Sequence, residues 1–140
     1  MVPHNCEDTP IPEKAPVYGH LYDSFLDPRP FRIDAAIEFD SVLEKKLMVM
    51  ECHRTQFYEW LPWSMGRRDY DASKLSAEEK KLWLLSFLEP FKKRIDEARP
   101  ILCRSLGKKA GGKVVWAELF EQSPYSRHVS SADFQKLMEP

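Results

Sequence analysis

The sequence has few cysteines and no long apolar run. Cys6, Cys52 and Cys103 form an odd, widely spaced set without a Cys-x-x-Cys pair, which fits reduced thiols in a cytosol better than a disulfide framework. No apolar stretch approaches the ~18 residues that a membrane span needs, and the N-terminus lacks the apolar core of a signal peptide. These absences predict a cytoplasmic chain with no membrane partner.

An excess of charge of either sign is also missing. The 21 basic and 22 acidic residues give a formal charge of -1, so no global field attracts nucleic acid or an anionic membrane. The basic stretches Lys92-Lys93-Arg94 and Lys108-Lys109 are offset by Glu89, Asp96 and Glu97, which favours a solvated helix face. We therefore expect no nucleic-acid partner.

Motifs that carry a mechanism are absent as well. The sequence contains no His-Glu-x-x-His, no Gly-x-Ser-x-Gly and no phosphate-binding Gly-rich loop, so it shows no active site by itself. Possible metal ligands cluster only near the front, at His4, Cys6, Glu7 and Asp8, with His20 following. A zinc site needs three or four donors that converge tetrahedrally. A Pro-flanked segment offers no scaffold for this, so an exposed polar loop is the favoured interpretation.

Proline is abundant, and its distribution divides the chain. Six of the eleven prolines lie within residues 3–30, and each fixes φ and removes a backbone donor. Residues 1–34 are therefore expected to form a Pro-rich extended segment. After it, residues 35–66 are predicted to form a strand plus helix, residues 67–112 a helical segment, and residues 113–140 a short strand and terminal helix. The fold class predicted from these patterns is α/β with more helix than strand.

Local patterns set the expected boundaries. Ala35–Phe39 is predicted to form a strand, and a capping box at Ser41-x-x-Glu44 is predicted to open a helix that runs to Tyr58 or Trp60 and stops at Pro62. A second capping box at Ser76-x-x-Glu79 opens the helical segment. The later expectations are breaks near Pro90 and Pro100, a turn at 108–112, a strand at Val114–Trp116, and a last helix capped by Ser130 or Ser131.

The polar residues around the first strand and helix have two interpretations. Asp34, Glu38 and Asp40 could supply a general acid–base pair, although a solvated strand and a helix cap explain them more simply. His53 lies where a cation interacts well with the negative end of a helix. From the residues alone, neither group indicates a site.

The order of several segments resembles the second half of PIG-L/LmbE-type deacetylases. In that family a strand ending in Asp is followed by a helix carrying Lys and by His-x-Ser/Thr-Gln near its end, and many members close with a segment similar to Tyr-Ala-Glu-Ala-Phe. The matching segments here are Pro16-Val17-Tyr18, Phe31–Asp34, Ile37–Asp40, Glu44–Lys46, His53–Phe57 and Gly111–Glu121. The resemblance is loosest from Arg67 to Leu106.

This resemblance implies the C-terminal portion of a Rossmann-like zinc-dependent N-deacetylase, a hydrolase that removes an acetyl group from an amino sugar or related amide. The family's zinc ligands come from Ala-His-Pro-Asp-Asp and His-x-x-His elements upstream of the matching region, and neither element occurs here. No metal ligand is therefore assigned. His53, Gln56 and Glu118 match motif positions, and the resemblance gives them a structural or substrate-proximal role.

Two hypotheses follow. In the first, the chain is the distal, truncated part of a deacetylase, inactive alone, and its strand Ala35–Phe39 joins a parallel sheet whose first strands are missing. An incomplete folding unit of this kind would self-associate or bind the missing N-terminal half. In the second, the chain is a non-catalytic interaction module that buries Trp60-Leu61-Pro62-Trp63 against a partner.

Overall fold

The chain folds around a small sheet flanked by helices. The structure, a computed structural model, describes residues 13–139. It is mixed α/β with more helix (51%) than strand (10%), which confirms the coarse fold class. No helix in this range is long and apolar enough to cross a membrane.

Three strands make the sheet, in the order β1-β3-β2. They are β1 (Gly19–Leu21), β2 (Ala35–Glu38) and β3 (Ala117–Gln122), and β3 pairs antiparallel with both neighbours. β2 confirms the strand predicted at Ala35–Phe39 to within one residue. No two of the described strands pair in parallel, so the parallel sheet implied by the family resemblance stays a prediction.

The strand predicted at Val114–Trp116 is also wrong, because β3 begins only at Ala117. The backbone amides of Val115 and Trp116 donate to the two carboxylate oxygens of Asp40, at 2.9 and 2.7 Å. Since these amides bond to a side chain, they are not available to a neighbouring strand, and the ladder starts one residue later.

The first helix is shorter than predicted. A 3₁₀ turn at Asp40–Val42 leads into α1 (Leu43–Cys52), whose N-cap has no side-chain hydrogen bond. The Ser41 capping box is therefore wrong. A π-helical segment (Thr55–Trp60) and α2 (Leu61–Ser64) follow. Pro62 is the second residue of α2, which follows the π-helical segment without a break, so helical structure passes the expected stop.

The next region is helical, as predicted. The Ser76 capping box is confirmed, with the Ser76 hydroxyl accepting from Glu79 N–H and the Glu79 carboxylate accepting from Ser76 N–H. The chain breaks near Pro90, but one helix runs through Pro100, because Ala98 and Leu102 anchor it in the core on both sides. The helices are α3 (Ala77–Ser86), α4 (Glu89–Lys92), α5 (Ile95–Leu106) and α6 (Lys108–Gly111), the last replacing an expected turn.

The last helix, α7 (Ser131–Met138), begins as predicted. Ser130 is its N-cap, and the Ser130 side chain accepts a hydrogen bond from Asp133 N–H. Phe134 is fully buried and lies against β1, where a Cβ at Gly19 would come within 3.1 Å of the Phe134 ring. α7 thus closes one side of the sheet.

Two hydrophobic clusters hold these elements together. The sheet cluster joins β2 and β3 to α5, and the helical cluster joins α1 to α3. The sheet cluster consists of Phe31, Ala36, Ile95, Ala98, Leu102, Val114, Ala117 and Leu119. The helical cluster consists of Phe39, Leu47, Tyr58, Leu84 and Leu88.

Candidate functional site

An ion pair joins two of the segments that carry the family resemblance. Lys46, in the middle of α1, pairs with Glu118 of β3, and both side chains are largely buried, at 29% and 22% exposed. The Lys46 ammonium also lies 4.9 Å from the centre of the Phe39 ring, and that ring stacks on Trp116. Glu118 is therefore held by a cation beside two aromatic rings.

The turn between β2 and α1 is fixed to the start of β3. Besides the two amide bonds accepted by Asp40, the N–H of Phe39 donates to the carbonyl of Trp116 at 3.0 Å. The Glu38 carboxylate accepts from Asp40 N–H at 3.0 Å. Asp40 and Glu38 thus act as structural ties, so the geometry gives the acid–base interpretation no free carboxylate here.

His53 and Gln56 do not converge on Glu118. His53 caps the C-terminus of α1 through its backbone, donating to Met50 and accepting from Phe57, and its side chain is exposed. Gln56 is exposed in the π-helical segment. Since His53 lies seven residues beyond Lys46, roughly 10 Å separates them along the helix path. Within residues 13–139 no hydrogen bond links either side chain to Glu118.

At the other end of β2, a cluster of charged residues ties the Pro-rich segment to β3. Glu121 is only 6% exposed. It accepts from the Arg29 guanidinium and from Arg32 N–H, the latter at 2.9 Å. The Asp34 carboxylate binds the Arg32 guanidinium through two bonds of 2.7 Å and accepts from Gln122 N–H. Asp34 is therefore fully engaged.

The environment of Glu121 keeps it ionised. Burial alone raises the pKa of this carboxyl, but the hydrogen bonds from Arg29 and Arg32 N–H, with the charges of both arginines, outweigh burial and leave the pKa below its usual value. A buried carboxylate held in this way locks a loop onto a strand. It is not available as a base.

A groove of about 250 Å³ lies beside Asp34, between α5 and α7. Its two acids are both occupied: Asp34 as above, and Glu139 by the Ser105 hydroxyl and the Gln135 amide. Arg104 and Lys136 line the same groove and are exposed. The groove holds no uncommitted carboxylate that could act on a substrate.

The tryptophan-rich stretch is only partly covered. Trp60 and Trp63 are each 54% exposed and Met65 is 55% exposed, whereas Pro62 is buried. The Arg68 guanidinium lies 4.6 Å from the centre of the Trp63 ring, an arrangement common at protein surfaces and interfaces. This stretch therefore leaves apolar aromatic surface at the end of the helical cluster.

A zinc site of the family's kind does not fit the described residues. No group of three His, Cys, Asp or Glu side chains within residues 13–139 could hold a metal ion, whereas catalytic zinc requires three protein ligands. His20 lies exposed in β1. The other candidate ligands, His4, Cys6, Glu7 and Asp8, lie outside the described residues.

Three features of these sites escaped the sequence analysis. Lys46 was noted only as part of a motif, although an ammonium on the strand-facing side of a helix needs a partner. Glu121 alternates with Ala117 and Leu119, which are fully buried, so period-two alternation could have marked it as an inward-facing acid. Gln135 bonds to Ala36 of β2, and no sequence pattern near either residue predicts that contact.

Comparison with known proteins found no relative: no family model, no curated protein and no solved structure matches the chain.

Proposed function

We propose that this chain is the distal part of a PIG-L/LmbE-type zinc-dependent N-deacetylase, which acquires its metal and its activity only with an N-terminal half. One observation carries the proposal. Three of the segments that bear the resemblance, which lie far apart in sequence, meet at one place. Glu44–Lys46 on α1 contacts Trp116–Glu118 through the Lys46–Glu118 pair, and Ile37–Asp40 pairs with the same stretch.

In this proposal the chain contributes a structural frame for the active site, formed by β2, α1 and β3. The zinc ligands, which would activate water for attack on the amide, belong to the motifs that this sequence lacks. Here Lys46 and Glu118 hold α1 against β3, and Asp40 holds the turn between them. His53 and Gln56, exposed at the end of that frame, are the side chains left to approach a substrate.

Co-expression tests the proposal. A polypeptide that carries the Ala-His-Pro-Asp-Asp motif, supplied as the N-terminal half, should co-purify with this chain, bind about one zinc per complex by elemental analysis and deacetylate an N-acetylglucosamine derivative. This chain alone should do neither. A stable monomer that ignores that polypeptide, or a complex without zinc, would overturn the proposal.

Substitutions in the active complex separate the roles. Glu118→Gln removes the charge but keeps the shape, and it should lower the melting temperature more than it changes KM. His53→Ala and Gln56→Ala should leave the melting temperature unchanged and alter KM or kcat. Glu59→Ala, an exposed change in the same helical segment, is the matched control.

A non-catalytic interaction module remains the second candidate, favoured by the half-exposed Trp60, Trp63 and Met65. It expects Trp63→Ala to weaken binding to a partner without any deacetylase activity appearing in the complex. Zinc-dependent turnover would exclude it.

A further inference from the structure

The two outer edges of the sheet are not equivalent. Because the strand order is β1-β3-β2, β1 and β2 each pair on one side only. The backbone groups on their other sides must find partners or remain open to solvent or another chain.

The outer edge of β2 is closed at Ala36 by a side chain. Ala36 lies opposite Leu119 at a position whose N–H and C=O point away from β3. The Gln135 amide meets both groups: its oxygen accepts from Ala36 N–H at 2.9 Å, and its nitrogen donates to Ala36 C=O at 3.0 Å. Gln135 is itself buried. α7 thus substitutes for a neighbouring strand at Ala36, in the middle of β2.

The outer edge of β1 has no such cover. Tyr18 and Tyr22 bond inward, to Ser123 N–H and to the Leu119 carbonyl, both at 2.9 Å. In the alternating antiparallel ladder, Gly19 and Leu21 therefore direct their N–H and C=O outward. Within residues 13–139 no hydrogen bond reaches those groups. All three β1 residues are exposed.

The chain also enters the fold at this edge. Residues 13–18 lead directly into β1, and they are held beside the end of β3 by Arg127, whose N–H donates to the Pro16 carbonyl and whose guanidinium donates to the Ala15 carbonyl. Ala15 and Pro16 are thus fixed next to the start of β1.

We propose that the open edge of β1 takes an extended strand of the N-terminal half, so that the sheet continues outward from β1 and ends at β2. The occupant follows from the proposed function, on which this inference rests, and from the side on which the chain enters. The place follows from the contrast between the β2 edge, where Gln135 bonds to Ala36, and the β1 edge, which no group within residues 13–139 bonds.

Hydrogen exchange of the complex described above tests the place without any mutation. The amides of Gly19 and Leu21 should exchange rapidly in the chain alone and become protected in the complex, whereas the Ala36 amide should be protected in both. Protection that appears elsewhere while Gly19 and Leu21 stay unprotected overturns the inference.

Proline substitution tests the same edge by binding. Leu21→Pro removes an outward donor without removing a bond to β3, and it should weaken the complex about tenfold or more. Leu21→Ala shortens the same exposed side chain but keeps the outward donor, so it is the matched control and should leave the affinity unchanged. Thermal melting of each variant checks that it folds, and the exchange experiment decides the matter if either does not.

The outcomes separate the two proposals. A zinc-loaded, active complex that forms equally well with Leu21→Pro overturns the docking inference and leaves the proposed function standing. Absence of zinc or activity with the wild-type chain overturns the proposed function. A wild-type dimer that Leu21→Pro converts to monomer shows that a second copy occupies the edge and overturns the choice of occupant.

Discussion

The sheet cluster and the helical cluster differ in how completely they close. The sheet cluster has a fully buried centre, made by Ala98, Leu102, Ala117 and Leu119, although Phe31, Ile95 and Val114 around it are 6–9% exposed. The helical cluster has no fully buried member, and its residues are 2–5% exposed. Buried polar groups follow the same division. Gln135 is fully bonded beside the sheet, but the hydroxyls of Tyr58 and Tyr70, beside the helical cluster, are buried without a partner in the described part of the chain.

This difference shows which of the two clusters has the more complete interior. A core sealed by small aliphatic residues and satisfied polar groups is typical of a finished interior. Aromatic surface at Trp60 and Trp63, next to buried hydroxyls without partners, is typical of a region that another element completes. The helical cluster thus has the less complete interior of the two.

The largest expected loss of stability is for a substitution in the sheet cluster. Leu102→Ala should destabilise the chain by about 3 kcal/mol, because a fully enclosed site cannot collapse around the lost methyl groups. Leu84→Ala, in the helical cluster, should cost only about 2 kcal/mol. Urea unfolding of both variants measures the difference. An equal or larger loss for Leu84→Ala would remove the contrast between the clusters.

The next largest expected loss of stability is for a substitution of Gln135, which bonds to the outer edge of β2. Gln135→Ala should cost about 2 kcal/mol, because two hydrogen bonds are lost and the Ala36 N–H and C=O are left without partners. Lys136→Ala, the adjacent exposed position on α7, is the matched control and should change stability little. If the two variants unfold at the same urea concentration, the Gln135 pairing does not stabilise the sheet.

Sequence reasoning succeeded where the signal is local. The Ser76–Glu79 capping box, the Ser130 cap and the β2 strand each depend on residues within a few positions of one another. It failed where a distant group competes for the same atoms. Asp40 does not take part in a helix cap because it accepts from Val115 and Trp116, about 75 positions away, and the same bonds displace the predicted strand.

The candidate site shows the same limit. The resemblance singled out Glu118, and the structure places it in an ion pair with Lys46, which is 72 positions away. Nothing near either residue specifies that pairing. His53 and Gln56 were grouped with Glu118 by their shared motif, yet the break in helical geometry at His53 sends them along a separate segment.

An intermediate loss of stability is expected when the buried Glu121 carboxylate, at the edge of the sheet cluster, loses its charge. The folded-state pKa of Glu121 lies below its usual value, so the carboxylate stabilises the fold above the unfolded pKa of about 4.3. That stabilisation is lost as the pH falls through the lower folded pKa. Glu121→Gln should therefore cost about 1–2 kcal/mol at pH 7 and show a flatter loss of stability in acid.

Denaturant unfolding between pH 3 and pH 7 measures both quantities. Glu59→Gln, an exposed carboxyl in the π-helical segment, should reproduce the wild-type profile. If the stability of Glu121→Gln falls as steeply with decreasing pH as that of the wild type, other carboxylates control acid unfolding. The contacts of Glu121 with Arg29 and Arg32 are then not formed in solution.

The smallest expected change in stability is for substitutions in and beside the helical cluster. Burial is the largest cause of a raised pKa at both Tyr58 and Tyr70, and the positive charges of Arg54 and Arg67 oppose it only in part. Removing a buried hydroxyl that makes no hydrogen bond relieves a desolvation penalty. Tyr58→Phe and Tyr70→Phe should therefore leave stability unchanged or raise it by up to about 1 kcal/mol, as measured by thermal unfolding.

The surroundings make the Tyr→Phe result informative. Trp83, packed on the same cluster, donates its indole N–H to the Phe57 carbonyl at 2.8 Å, so the cluster can satisfy a buried donor. Trp83→Phe, which breaks that bond, serves as the positive control and should destabilise the chain. A loss above about 1 kcal/mol for either tyrosine variant would mean that its hydroxyl is bonded in solution, and the helical cluster would then be as complete as the sheet cluster.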